Sequence, residues 1–266
     1  MPLVTVNGAQ VHVEDTGGDG PLVLFGHGLL FSGKMFAGQI ARLRDRYRCV
    51  TIDWRGQGRS PAAPGGYDMD TLAEDAAALI EFLDAGPVHY VGLSMGGFVG
   101  IRLGARRPDL IRSLSLLDTS AGPEDPEKVS RYRLLAKVYR VVGMKPVRRQ
   151  VEPIMFGPTF LADPASKPHV EDWLTVLAAV NRKGMQQAIH GVTDRDAVTD
   201  LLPTITAPTL VVVGADDVAT PVTKSEAIRD GIAGARLEIV PACGHSSTIE
   251  RPDVLADLIA AHVDAH

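Results

Sequence analysis

Hydrophobic positions along the chain fall into two rhythms. Short apolar runs rich in β-branched residues occur at 22–25, 49–52, 88–91, 114–117, 210–213 and 237–240, and most end at Gly or Asp. Several are apolar at nearly every position, the pattern of strands buried on both faces of a parallel sheet. Near the start, Val4-Thr5-Val6 and Val11-His12-Val13 flank Asn7-Gly8, a strong two-residue hairpin signal. Between the runs lie amphipathic segments; 71–83 places Leu72, Ala76, Leu79, Ile80 and Leu83 on one helical face. Strand–helix alternation of this kind predicts an α/β fold with a doubly wound, mostly parallel sheet of about eight strands.

From Asp118 to about 200 the strand signals stop and helical patterns take over. They are broken at Gly122-Pro123, Gly143, Pro146, Pro153, Gly157-Pro158, Pro164 and Pro168. A structureless stretch of that length does not suit a compact domain. The reading is a core formed by 1–120 and 196–266, with a mainly helical cap inserted at 121–195.

Composition narrows the function classes. Of 266 residues, 45% are hydrophobic and 22% charged, with Asp+Glu 32 against Lys+Arg 27. That acidic balance argues against nucleic acid as a partner, which needs a basic surface. The insertion holds twelve Lys/Arg against eight Asp/Glu, a bias that points mildly to an anionic partner but is more simply read as solvated helix faces. Neither a basic leader with a long apolar stretch nor a membrane-length apolar run is visible, so a cytoplasmic location and no membrane partner are expected. Two cysteines, Cys49 and Cys243, are too few for a disulfide framework or a four-thiolate metal site; packing is the expected role of both. Nothing in the sequence separates a monomer from a homodimer.

The chemistry centres on Gly92-Leu93-Ser94-Met95-Gly96. It closes an apolar run and opens a helical pattern, the context of a G-x-S-x-G nucleophile elbow. A tight strand-to-helix turn lifts the serine Oγ above the sheet, and the Met95 N–H at the helix start is free for a developing oxyanion. A serine needs a base, itself oriented by an acid. Of eight histidines, only His245 follows a late strand across a short polar turn, which makes it the candidate base. The acid should close the preceding strand, where Asp216 and Asp217 compete. Phe25-Gly26-His27-Gly28-Leu29-Leu30 ends an early strand with glycines that permit close backbone approach, so the Leu29 N–H is the candidate second oxyanion donor; His27 is expected to stiffen this loop. Apolar residues that could line a pocket are Met35, Phe36, Met155, Phe156, Phe160 and Trp173, while Arg148, Arg149 and His190 could meet an anionic acyl group but are more simply read as surface.

Together these residues resemble the α/β-hydrolase fold superfamily over essentially the whole chain. The order Ser94, Asp217, His245 is similar to the family's nucleophile–acid–histidine order. The family's spacing, acid three residues after the strand-end glycine, selects Asp217 over Asp216, although some relatives carry the acid where Asp118 stands. Asp53-Trp54-Arg55-Gly56-Gln57-Gly58-Arg59-Ser60 looks like the family's D-x-R-G-x-G-x-S turn, with Asp53 and Arg55 expected to pair. The stretch from Gly244 to Asp253 resembles the G-H-x-S-x-x-E-x-P segment of 3-oxoadipate enol-lactonase-like esterases and lactonases. The resemblance implies a serine esterase or lactonase acting through an acyl-enzyme on a small-molecule ester or lactone, with no metal or organic cofactor. The same triad also supports cofactor-free perhydrolase or haloperoxidase chemistry, and the fold also serves non-catalytic small-molecule receptors, against which the complete set of Ser94, Asp217 and His245 weighs.

Overall fold

A computed structural model describes residues 3–266. The chain opens with strands β1 (Leu3–Val6) and β2 (Ala9–Asp15), joined through Asn7 and Gly8 at φ 44° and 74°, the left-handed pair that a tight hairpin needs. Strands β3 (Leu22–Gly26), β4 (Arg48–Asp53), β5 (Val88–Leu93), β6 (Ile111–Leu117), β7 (Thr209–Gly214) and β8 (Arg236–Val240) complete one eight-stranded sheet. Its order is β1-β2-β4-β3-β5-β6-β7-β8, antiparallel at β1–β2 and β2–β4 and parallel from β4 to β8. All six predicted runs are strands. β3, β5 and β7 are buried at every residue, whereas the edge strand β8 is only half covered.

Helices α1 (Ala37–Leu43), α2 (Met69–Leu83) and α3 (Met95–Arg106) alternate with the first strands. Between β6 and β7 come α4 (Pro126–Val142), α5 (Arg148–Met155), α6 (Pro158–Ala162), α7 (Lys167–Ala179) and α8 (Arg182–Thr193), with no strand among them. Helices α9 (Val222–Gly231), α10 (Ser247–Glu250) and α11 (Pro252–Asp264) end the chain. On one sheet face Ala76 and Leu79 of α2, Val99 and Leu103 of α3 and Ile228 of α9 close a core. On the other, Leu43 of α1 and Leu255 and Ile259 of α11 close a second core that runs on into the insertion through Tyr139, Met155 and Leu177.

The insertion springs from a narrow neck. Val198 N–H donates to the Ala121 carbonyl at 2.8 Å, and Arg195 pairs with Glu124 at 3.0 Å, so its two ends are tied together. The strand order turns back at β3, which has β4 on one side and β5 on the other with all three strands parallel. The carboxyl ends of the strands at such a switch point are the ordinary place for a ligand in sheets of this kind.

One expected pair does not form. Arg55 turns to Asp75 of α2, with two hydrogen bonds of 2.6 Å, while Asp53 accepts the N–H groups of Gly33 at 2.7 Å and Arg59 at 2.9 Å. Asp53 is needed to brace two turns, and the Arg55 guanidinium finds the buried carboxylate on the neighbouring helix instead.

Candidate active site

Ser94 sits between the last residue of β5 and the first of α3 with φ 52° and ψ −110°. An L residue there stores roughly 1–3 kcal/mol of strain, and the surroundings hold it in place. Its N–H donates to the Leu117 carbonyl at 2.8 Å, its carbonyl accepts the Thr119 hydroxyl at 2.8 Å and the Phe98 N–H at 3.0 Å. Gly92 and Gly96 are required by space: a Cβ at Gly92 would run into the Gly96 carbonyl, and one at Gly96 into the Gly26 carbonyl. The elbow is thus packed backbone to backbone against the end of β3.

His245 lies in the turn after β8, buried, with Nε2 2.9 Å from Ser94 Oγ and Nδ1 2.8 Å from Asp217 Oδ2. A carboxylate accepts only, so Nδ1–H donates to Asp217 and Nε2 is left to accept the Ser94 hydroxyl. Asp217 in turn accepts the N–H groups of Ala219 at 2.8 Å and Thr220 at 3.0 Å and the Thr220 hydroxyl at 2.8 Å. Burial disfavours the charged form of His245, but the adjacent Asp217 carboxylate outweighs it and holds the imidazole above its ordinary pKa. Burial pushes Asp217 up; the His245 charge and these hydrogen bonds win, leaving the carboxyl below its usual range.

The competing aspartates are elsewhere. Asp216 is a turn residue whose N–H donates to the Cys243 carbonyl at 2.8 Å; it caps no helix, since α9 begins after Pro221. Asp118 is fully buried and accepts the Gly214 N–H at 2.9 Å and the Ser247 hydroxyl. Burial and then the Asp217 charge raise its pKa well above the carboxylate norm.

Met95 N–H is the first of α3 and has no intrahelical acceptor, and the Leu29 N–H makes no backbone hydrogen bond among the described residues. Gly28 brings the Leu29 turn against the elbow: an added Cβ would lie 3.4 Å from Ser94 Cβ. His27 stiffens the turn. Its Nδ1–H donates to the Gly28 carbonyl at 2.7 Å, its Nε2 accepts the Trp54 N–H at 3.1 Å, and its carbonyl accepts the Trp54 indole N–H at 2.9 Å.

Ser94 and His245 open into a cavity of about 110 Å³ beneath the insertion. Of the apolar residues expected there, Met155 lines it; Met35, Phe36, Phe156, Phe160 and Trp173 do not. Phe36 packs on Phe25 at 5.1 Å, and Phe156 meets Trp173 edge-on at 5.4 Å. Trp173 also gives its indole N–H to the Leu30 carbonyl at 3.0 Å, so this cluster supports the loop from behind. The wall comes instead from Leu135 and Tyr139 of α4, Val151 and Ile154 of α5, and Ile189 and Val192 of α8. Sequence reading missed them, although their helical spacing was visible. Arg148 is occupied by Glu152 and Glu171 outside the cavity. Both cysteines are free and buried, with burial pushing the Cys49 thiol up to about 12.

The sequence profile of the alpha/beta hydrolase family matches residues 23–258. The chain is 28% identical over 243 residues to 3-oxoadipate enol-lactonase 2 of Acinetobacter baylyi, covering 91% of this chain and 88% of that protein. Its structure is similar to a thermophilic esterase from Thermogutta terrifontis, with TM-score 0.90 and 28% identity over 100% of this chain and 99% of the other. The enol-lactonase from Burkholderia xenovorans gives TM-score 0.91 and 27% identity over 99% and 100%. Among the described residues no helix is long and apolar enough to cross a membrane. A family match that spans β3 to β8 and the insertion, on a fold superposable with esterase and enol-lactonase structures along their full length, makes this chain a member of the alpha/beta hydrolase family.

Proposed function

We propose that the protein hydrolyses a small carboxylic ester or lactone through an acyl-enzyme on Ser94, with His245 as base and acid, Asp217 as the acid that orients it, and the Leu29 and Met95 N–H groups as the oxyanion hole. The observation that carries this reading is the pair of hydrogen bonds at His245, which accepts the Ser94 hydroxyl at 2.9 Å and donates to Asp217 at 2.8 Å, at the mouth of an apolar cavity. Names borne by the enol-lactonase and esterase relatives point the same way.

The steps follow from the geometry. Ser94 Oγ attacks the carbonyl carbon as its proton passes to His245 Nε2, and the carbonyl oxygen becomes an oxyanion between the two N–H groups. Collapse breaks the C–O bond to the alkoxide, which takes the proton from His245. Water then gives a proton to His245 and attacks the acyl carbon, and the second collapse returns that proton to Ser94 Oγ and frees the acid. Asp217 keeps the imidazole in the tautomer that can accept at Nε2 and stabilises it when positive. Each oxyanion donor lowers the barrier by about 3 kcal/mol. Helices α4, α5 and α8 act as a cap that excludes water from the acyl side.

A cavity of about 110 Å³ is smaller than the roughly 150 Å³ that holds a benzene ring, which favours short acyl groups. The test is p-nitrophenol release from an acyl series, acetate to decanoate, by wild type and by Ser94→Ala. The reading expects a maximum at roughly four to six carbons and loss of nearly all activity in the variant with the thermal melt retained. Equal rates in the two proteins would refute it.

A further inference from the structure

Resting on the hydrolase reading above, we propose that the site accepts uncharged acyl groups and rejects acyl groups bearing a carboxylate, and that Glu124 sets this preference. The cavity wall is apolar, and most of its polar side chains are already partnered. Tyr139 gives its hydroxyl to the Leu177 carbonyl at 3.3 Å, Thr193 to the His190 carbonyl at 3.1 Å, and Thr220 to Asp217 at 2.8 Å. The one lining residue beyond His245 that carries a formal charge is Glu124, and that charge is negative.

The cation that could have welcomed an anion is withdrawn. Arg195 pairs with Glu124 at 3.0 Å, donates to the carbonyls of Val192 at 2.8 Å and Gly122 at 3.2 Å, and lies 4.2 Å over the Phe98 ring. It is buried behind the wall and does not line the cavity. A carboxylate on the acyl chain would therefore lose its water, find no free cation, and face a second carboxylate. Burying an uncompensated charge costs several kcal/mol. Tyr132 also lines the cavity, and a phenol is a neutral donor suited to a neutral carbonyl or ether oxygen.

The Glu124–Arg195 pair also ties the neck of the insertion, so its removal has two consequences. A neutral glutamine keeps much of the shape and leaves the Arg195 charge unmatched beside the cavity, which should now favour the anionic acyl group. Preference and stability therefore separate in one variant.

The experiment uses two ethyl esters whose acyl groups have the same shape. Ethyl 4-methylpentanoate carries an isopropyl end where monoethyl succinate carries a carboxylate. Hydrolysis is followed by proton release at pH 8, where the succinate end is ionised. For wild type, kcat/KM is expected to favour the 4-methylpentanoate by at least about a hundredfold. In Glu124→Gln the ratio is expected to fall by about tenfold or more. Comparable values for the two esters in wild type would overturn the proposal while leaving the hydrolase reading intact. If the folded protein hydrolyses neither, both fall. A folded Glu124→Gln with an unchanged ratio removes Glu124 from the role, and if that variant does not fold the wild-type ratio still decides whether anions are rejected.

Discussion

The carboxylate of Glu250 accepts the backbone N–H of Gly157 at 3.1 Å, so a residue five places beyond His245 reaches into the helical insertion. The same carboxylate accepts the N–H groups of Gly244 at 2.7 Å and Ser246 at 3.2 Å, on either side of the histidine. Gly157 and Gly244 lie so close that a Cβ at Gly157 would sit 2.7 Å from the Gly244 nitrogen. Ser246 adds a hydrogen bond of 2.5 Å to the Met155 carbonyl. The insertion and the His245 turn are therefore held as one unit by an acceptor that no neutral side chain can replace fully.

Glu250→Gln opposes an amide NH₂ to at least one of those backbone donors. A buried unsatisfied donor costs about 1–3 kcal/mol, so the melting temperature should fall by several degrees, roughly 2–4 °C per kcal/mol at this chain length. If the carboxylate positions His245, kcat should drop more than KM rises. A loss confined to stability, with kcat unchanged, would leave Glu250 a purely structural tie.

Asp217 and Asp118 should respond very differently to the same conservative change. Asp217→Asn removes the acceptor that fixes the His245 tautomer, and kcat should fall by about three to four orders of magnitude. Asp118→Asn keeps an acceptor for Gly214 and supplies a donor for Ser247. Burial and the Asp217 charge already favour a protonated Asp118, which asparagine mimics, so the loss should stay below about tenfold. Steady-state kinetics on both variants checks this, and a reversed order would move the acid to Asp118.

The pH profile follows from the sign of one shift. His245 must be neutral to take the Ser94 proton, and burial, overridden by Asp217, leaves its pKa above the ordinary value. Activity should therefore rise with pH, and the acid limb of kcat/KM should have its midpoint above about 6.5. A midpoint at or below that value would mean Asp217 does not stabilise the imidazolium as described.

Asp75 predicts a stability effect remote from the site. Its fully buried carboxylate takes both 2.6 Å hydrogen bonds from Arg55. Asp75→Ala strands a buried guanidinium and should cost about 3–5 kcal/mol in denaturant unfolding, with kcat of the remaining folded protein little changed.

What could be read from the sequence, and what could not, divides along physical lines. The elbow at Ser94 was legible because its five residues are contiguous and stand between a strand pattern and a helical one. The family resemblance selected Asp217 over Asp216, and in the structure it is Asp217 that meets His245. The partner of Arg55 was not, because nothing local in 53–60 distinguishes Asp53 from a carboxylate twenty positions away on a packed helix. The cavity wall was missed for a similar reason. An amphipathic helix such as α4 shows an apolar face, but whether Tyr139 on that face meets a core or a cavity depends on how the helix sits over the sheet. The large aromatics Phe36, Phe156 and Trp173 looked suited to a pocket and pack together or on the core instead, where their area is best buried.

The central claim is that Ser94 is the nucleophile, and covalent capture tests it most directly. The protein is incubated with a p-nitrophenyl alkylphosphonate, whose phosphorus takes the place of the ester carbonyl carbon, then digested and mapped by mass spectrometry. The account predicts one phosphonyl group per chain, on Ser94, with matching loss of esterase activity. Inactivation with the adduct on any other residue, or full activity toward esters with Ser94 replaced by alanine, would contradict it.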